Sequence, residues 1–290
     1  MVSFLLGTLS VRRLGFGAMQ LPGPGVFGPP RDRDEAIAVL RRAVELGVNH
    51  VDTAQYYGPD VSNELIHDAL HPYPHDLVLV SKVGGARDDK GGWTPAQTPA
   101  QLRSGVEDNL RTLEVEQLGA VNLRLMPQEH LSDPAQRVPL EDQLAEMAAL
   151  REEGKIAGIG ISTATLEQVR TAIDTVGIVC VQNEFSLLDR KDADVLELCR
   201  QQGLAYVPYF PLGSAFPGMP KVTDDDTVKQ VAAKHDATPA QVGLAWLLAH
   251  QENVLLIPGT SRVAHLEENL RVADVVLSQD DLAELDKLGG

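Results

Sequence analysis

Cysteine is almost missing from this chain: there are two in 290 residues, Cys180 and Cys199. Two cysteines make no disulfide framework, and Cys180 lies in the apolar run GIVCVQ, as a core residue would. The expected compartment is a reducing cytoplasm. No stretch reaches the ~18 uninterrupted apolar residues of a membrane-spanning helix. The apolar run in MVSFLLGTLSVRRLG is too short, and its charges are in the wrong order, for a secretory signal. Basic residues are outnumbered, 25 against 41 acidic, which gives a formal net charge of −16. Such a field repels nucleic acid and anionic membrane, so neither is expected as a partner. Any anionic cofactor must then be held by a local cluster. Low-complexity tracts, long linkers, charge blocks and sequence repeats of roughly 20–50 residues are absent as well, and no metal site is expected.

What the chain does contain is a regular alternation. Short apolar runs lie at 14–19, 48–52, 76–81, 118–126, 156–162, 178–182, 204–209 and 254–259. Amphipathic stretches separate them, with apolar residues at helical spacing, as in Ile37, Leu40 and Val44. Several stretches end at Gly (Gly47, Gly154, Gly203), which suits a helix C-cap. Eight strands with crossover helices predict a parallel sheet, and eight is the number that closes an α/β (β/α)8 TIM barrel, here spanning residues 1–290 as one domain. A doubly wound sheet is the alternative, but no G-x-G-x-x-G follows the first strand. The segment LPGPGVFGPP (21–30) stands there instead, and its four prolines make a poor phosphate cradle. It reads as a shaped loop at a pocket mouth, or as an ordinary connection. In a barrel the chemistry sits at the C-terminal ends of the strands. Asp52, Tyr57, Lys82, Arg124, Ser162, Gln182 and Tyr209 all fall there.

Three of these suggest a reaction. A Lys beside a Tyr favours the phenolate and so lowers the phenol pKa. An Asp beside that Lys keeps it charged and oriented. Asp52, Tyr57 and Lys82, in VNHVDTAQYYG and DLVLVSK, together suit a proton donor facing a hydride donor, which is what carbonyl reduction needs. Taken singly, the Asp is as well read as a helix cap and the Tyr–Gly pair as a turn. Tyr56 reads as packing.

The motifs DTAQYYG, SKVG, GISTATLEQV, CVQNEFSLL, PYFPLG and IPGTSRVAHLEEN occur in order at barrel-repeat spacing, and with them the chain resembles the aldo-keto reductases over nearly its whole length. LGFGAMQLPGPGVFGPPRDR, AVNLR and VPYFPLG are similar to the bacterial NADPH-dependent pyridoxal reductases of that family. The resemblance implies NADPH/NADP+ as cofactor and a small-molecule carbonyl substrate, with reduction of pyridoxal to pyridoxine favoured. The alternatives are a generic aldehyde, ketone or imine reductase, or a non-catalytic NADP(H)-sensing module. Tyr57 matches the family's general acid, Lys82 its partner and Asp52 the paired carboxylate. Arg124 stands where the family usually has a carbonyl-binding His. It is expected to orient the substrate oxygen, or else to form a structural salt bridge.

For the cofactor, Ser162, Gln182 and Asn183 match residues that meet the nicotinamide carboxamide, although Thr163 replaces a usual Asn. Tyr209 matches the aromatic stacked under the ring, and Phe210 replaces a common Ser. Pro211, Leu212, Gly213 and Ser214 match the loop over the pyrophosphate. Gly259, Thr260, Ser261 and Arg262 match the segment that receives the 2′-phosphate. His265 stands where many relatives have an Arg. Glu268 and Asn269 match the pair at the adenine. Gln20, Phe27 and Trp93 are expected to line the substrate pocket. Trp93 lies in a long loop, GARDDKGGWTPAQTP (85–99), of the kind that carries function or mobility.

Overall fold

The computed structural model describes residues 2–213 and 220–289. The chain opens with an antiparallel hairpin, β1 (Ser3–Leu6) and β2 (Leu9–Arg12), joined by a two-residue turn in which Gly7 has a positive φ of 64°. The parallel sheet follows: β3 (Phe16–Gly17), β4 (His50–Asp52), β5 (Val78–Val83), β8 (Ala120–Arg124), β9 (Ile159–Ser162), β10 (Cys180–Gln182) and β11 (Ala205–Tyr206), paired in that order. The eighth predicted run forms no ladder of its own, yet it closes the ring. Val254 bridges Tyr206 on one side and Leu256 bridges Leu14 on the other, with Leu255 N–H donating to Tyr206 O and Gly15 N–H to Leu256 O, 2.9 and 2.8 Å.

Helices α1 (Arg33–Glu45), α2 (Val61–Leu70), α3 (Pro99–Leu113), α4 (Leu140–Glu152), α5 (Leu166–Val176) and α6 (Ala193–Gln202) connect successive strands on the outside. The stretch DTVKQVAAKHDATPAQVGLAWLLAH, one helical unit by its periodicity, is two helices, α7 (Asp226–Lys234) and α8 (Pro239–His250). Asp236 at φ 49° breaks it, and Thr238 restarts it with a capping box to Gln241 and Pro239 in the first turn. Helices α9 (Val263–Leu270) and α10 (Gln279–Leu285) end the fold. The long 85–99 loop carries a second hairpin, β6 (Gly85–Arg87) and β7 (Trp93–Pro95). Among the described residues, no helix is long and apolar enough to cross a membrane.

Period-two alternation along each strand sorts its side chains. Leu79, Val83, Val121, Leu123, Ile159, Ile161, Val181 and Tyr206 point outward into the shell packed by helices. Val78, Val80, Ala120, Cys180, Ala205, Val207 and Leu255 point inward and form a separate plug with Leu6 and Val11 of the hairpin. The hairpin thus stoppers the N-terminal mouth of the barrel. The next inward residues toward the other mouth are polar, and these are the ones singled out from the sequence.

Candidate active site

The inward register continues Val78–Val80 to Lys82, Ala120–Asn122 to Arg124, Cys180 to Gln182 and Val207 to Tyr209. Arg124 is in register with Ser162, and Ser162 with Gln182, so these three form a layer at the C-terminal mouth. Asp52 ends β4 beside them. The Lys82 ammonium donates to Asp52 Oδ1 and to the Thr53 carbonyl, the latter at 3.1 Å. The other carboxylate oxygen accepts from Gln182 Nε2 at 3.1 Å. All three side chains are buried.

Tyr57 stands over this pair, with the Lys82 nitrogen 5.1 Å from its ring centroid. It lies on a turn that depends on Gly58. Gly58 has φ 105°, and a Cβ there would meet Val61 Cβ at 2.4 Å. The Pro-rich segment reaches the same turn, since Phe27 bridges Gly58 and Gly28 N–H donates to Gly58 O at 2.9 Å. Residues 21–30 are therefore a wall of the mouth.

One expectation fails here. Burial holds the Tyr57 phenol well above the ordinary tyrosine range, Asp52 adds to the rise, and the cation that opposes it is Arg124. The lowering expected of Lys82 does not emerge against burial and the Asp52 charge. Tyr57 is thus a fully protonated donor at neutral pH.

Arg124 faces the mouth. Its guanidinium lies 5.6 Å from the Trp93 ring centroid and acts on Tyr56, Tyr57 and Tyr209. Among the described residues no carboxylate lies within 4 Å of it, so the salt-bridge alternative has no acid to use. Gln97 steadies it from behind, donating to the Arg124 carbonyl at 3.0 Å. Tyr56 meets Tyr57 edge-on at 5.4 Å and Trp93 at 5.7 Å, so it is packing, as expected. Trp93 is 45% exposed. Sequence reasoning missed its partner, Arg87, whose guanidinium stacks 3.9 Å from the Trp93 centroid and 5.6 Å from that of Phe27, and donates to Gly25 O at 2.7 Å. Arg87 clamps the 21–30 loop to the second hairpin. A cation between two loop aromatics was its only signal.

The proposed cofactor residues divide. Gln182 has its nitrogen committed to Asp52, which leaves its oxygen for an incoming amide, and the buried Ser162 hydroxyl has, among the described residues, only a 3.5 Å contact with Thr163. That donor and acceptor suit a carboxamide. Asn183 is engaged elsewhere: its side chain accepts from Ala164 N and donates to Ala164 O and Asp192, at 3.0, 2.7 and 2.8 Å, so it pins the loop after β9. In that loop Thr163 sits at φ 59°, a left-handed conformation that strains a β-branched residue and that Asn tolerates better. Tyr209 is at the mouth, edge-on to Phe210 at 5.2 Å. Burial raises its phenol, with the Thr163 side chain opposing the rise.

Pro211, Leu212 and Gly213 run out from β11 and are held by Val222 N–H donating to Leu212 O at 3.0 Å. Ser214 lies outside the described residues. Gly259 approaches Gly17 so closely that a Cβ would fall 2.4 Å from its carbonyl oxygen, and Gln20 lies alongside Gly259. Gln20 therefore lies next to the proposed cofactor segment. Thr260 Oγ1 accepts from Arg262 N at 3.2 Å, exposed Ser261 and Arg262 follow, and α9 starts at Val263. Glu35, which the sequence did not single out, accepts from Val263 N at 2.9 Å. Its carboxylate occupies the first N–H of this helix, so a phosphate here must use the remaining groups of the segment. Glu268 is held by Thr238, which donates to its carboxylate at 2.8 Å, and Asn269 is half-buried beside it.

Residues 13–289 match the model of the aldo/keto reductase family. The chain is 48% identical to pyridoxine 4-dehydrogenase of Escherichia coli (strain K12) over 284 residues, covering 98% of this chain and 97% of that protein. Among solved structures, it superposes on a thermostable aldo-keto reductase in complex with the inhibitor epalrestat with a TM-score of 0.82 and 31% identity, covering both chains fully (100%). It superposes on an aldo-keto reductase from Klebsiella pneumoniae in complex with NADPH with a TM-score of 0.80 and 26% identity, covering 99% of this chain and 95% of that one.

Proposed function

The chain belongs to the aldo/keto reductase family, and from that premise we propose that it is an NADPH-dependent reductase converting pyridoxal to pyridoxine. The observation that carries the reading is the protonated Tyr57 phenol beside the buried Lys82–Asp52 pair, with Arg124, which no described carboxylate pairs, across the mouth. NADPH, when bound, supplies the hydride. Ser162 and Gln182 would hold its carboxamide, Tyr209 would lie against the ring, and Thr260, Ser261 and Arg262 would receive the 2′-phosphate. Tyr57 gives its proton to the carbonyl oxygen as the alkoxide forms. Lys82 and Asp52 fix the floor on which Tyr57 stands, and Arg124 draws the oxygen toward the phenol.

Arg124 also favours an anion next to the carbonyl, and pyridoxal has an acidic hydroxyl there. Pyridoxal is expected to outperform benzaldehyde by more than its intrinsic reactivity explains. Arg124→His should narrow that gap, and Arg124→Leu should slow both substrates. NADPH consumption with the two aldehydes is the test, and a gap unchanged in Arg124→Leu removes the substrate argument.

The cofactor preference is tested separately. Arg262→Ala removes a charge-assisted contact of roughly 1.5–3 kcal/mol. It should weaken NADPH binding by about tenfold or more while NADH is nearly unaffected. Equal weakening of both, by fluorescence titration, would make Arg262 structural.

A further inference from the structure

On the opposite side of the barrel, away from Tyr57, the C-terminal ends of α2 and α3 meet. His67 lies in the last turn of α2, His71 is its C-cap, and Glu114 is the C-cap of α3. Among the described residues, these three bring one ligand atom each to within 4.8 Å of one another. The two imidazoles are four residues apart and stack at 4.8 Å with an interplanar angle of 22°. His67 Nδ1 lies 3.3 Å from Asp68 Oδ1, and Asp68 is itself bound by Arg33. In the tautomer that donates Nδ1–H to Asp68, Nε2 presents its lone pair. That Nε2 is buried, makes no hydrogen bond, and faces Glu114 Oε2 at 3.4 Å.

In that tautomer Nε2 and the carboxylate oxygen face each other as two acceptors, an arrangement that a cation between them relieves. For bonds of about 2.0–2.2 Å, adjacent ligands of a tetrahedral zinc stand roughly 3.3–3.5 Å apart, the spacing His67 and Glu114 already have. The carboxylate behind His67 Nδ1 is the partner that orients a metal-bound imidazole. Both helices also present their negative C-terminal ends here, which favours a cation. His71 and Glu114 are exposed and open to solvent ions.

We propose that His67, His71 and Glu114 form a binding site for a divalent transition metal of the zinc class, with water completing the shell, that staples α2 to α3. The site lies far from the reacting groups, so it acts on stability and not on turnover. Calorimetric titration of the chelator-washed full chain with zinc chloride is expected to show one equivalent bound in the micromolar range and a raised unfolding temperature. His67→Gln and His71→Gln should each weaken binding by at least the about 10–100-fold that loss of even an outer partner costs, with aldehyde reduction unchanged. Crystals soaked in zinc should show anomalous density between the three side chains, a readout that needs no variant. No binding by the wild type, equally tight binding by either variant, or density elsewhere alone overturns the site.

Discussion

Tyr57→Phe is expected to lower kcat for aldehyde reduction by about 10²-fold or more, the usual span of general acid catalysis, while NADPH still binds. The substitution removes one hydroxyl and keeps the ring, so its edge-on contact with Tyr56 survives. The buried phenol is held protonated, and among the residues around it Lys82 is locked to Asp52. No described neighbour can replace the donor. Because the phenol stays above the usual range, the rate should not rise as pH falls through neutrality, and it should decline only at strongly alkaline pH, where Tyr57 deprotonates. Single-turnover kinetics of the variant is the measurement. Retention of near wild-type turnover would mean that another group, or water, protonates the oxygen.

The second large effect concerns the ion pair. Lys82 and Asp52 side chains are 9% and 4% exposed. Removing one partner of a buried pair leaves the other charge unpaired, at a cost of about 3–5 kcal/mol. Asp52→Ala should lose roughly that much stability in urea unfolding, because it strips Lys82 of its counter-charge and Gln182 of its acceptor. Adding Lys82→Met to Asp52→Ala should recover part of the loss, since the double variant buries no bare ammonium. Neither recovers catalysis, as the floor under Tyr57 is gone. A loss below about 1 kcal/mol in Asp52→Ala, the range of an exposed pair, would show that water reaches Lys82.

Much of the architecture is readable from periodicity. The eight apolar runs all lie in the barrel wall, and their inward residues follow once period two is applied from Val80 to Lys82 or from Ala120 to Arg124. Other features have weak local signals. The N-terminal hairpin is four residues per strand about a Gly–Thr turn, and its value lies in plugging a barrel mouth that a linear reading does not show. The α7–α8 break rests on Asp236 in a left-handed conformation, which helical spacing passes over. Asn183 and Gln182 are neighbours in sequence, yet one pins a loop and the other faces the site, because successive strand residues point to opposite sides.

The order of the barrel strands and their crossover helices, the polar residues at strand ends and the family likeness were thus determined by the sequence itself, since hydrophobic period and motif spacing are local properties. Which charges offset which was decided only by the tertiary structure. Lys82 pairs with Asp52, and Arg124, which no described carboxylate pairs, is the cation that opposes the rise at Tyr57. Arg87 and Glu35, unremarkable in their own segments, reach across to Trp93 and Val263. Closure of the barrel brings side chains tens to hundreds of residues apart into contact. Electrostatic effects fall off over ångströms, so they depend on that closure and cannot be read along the chain.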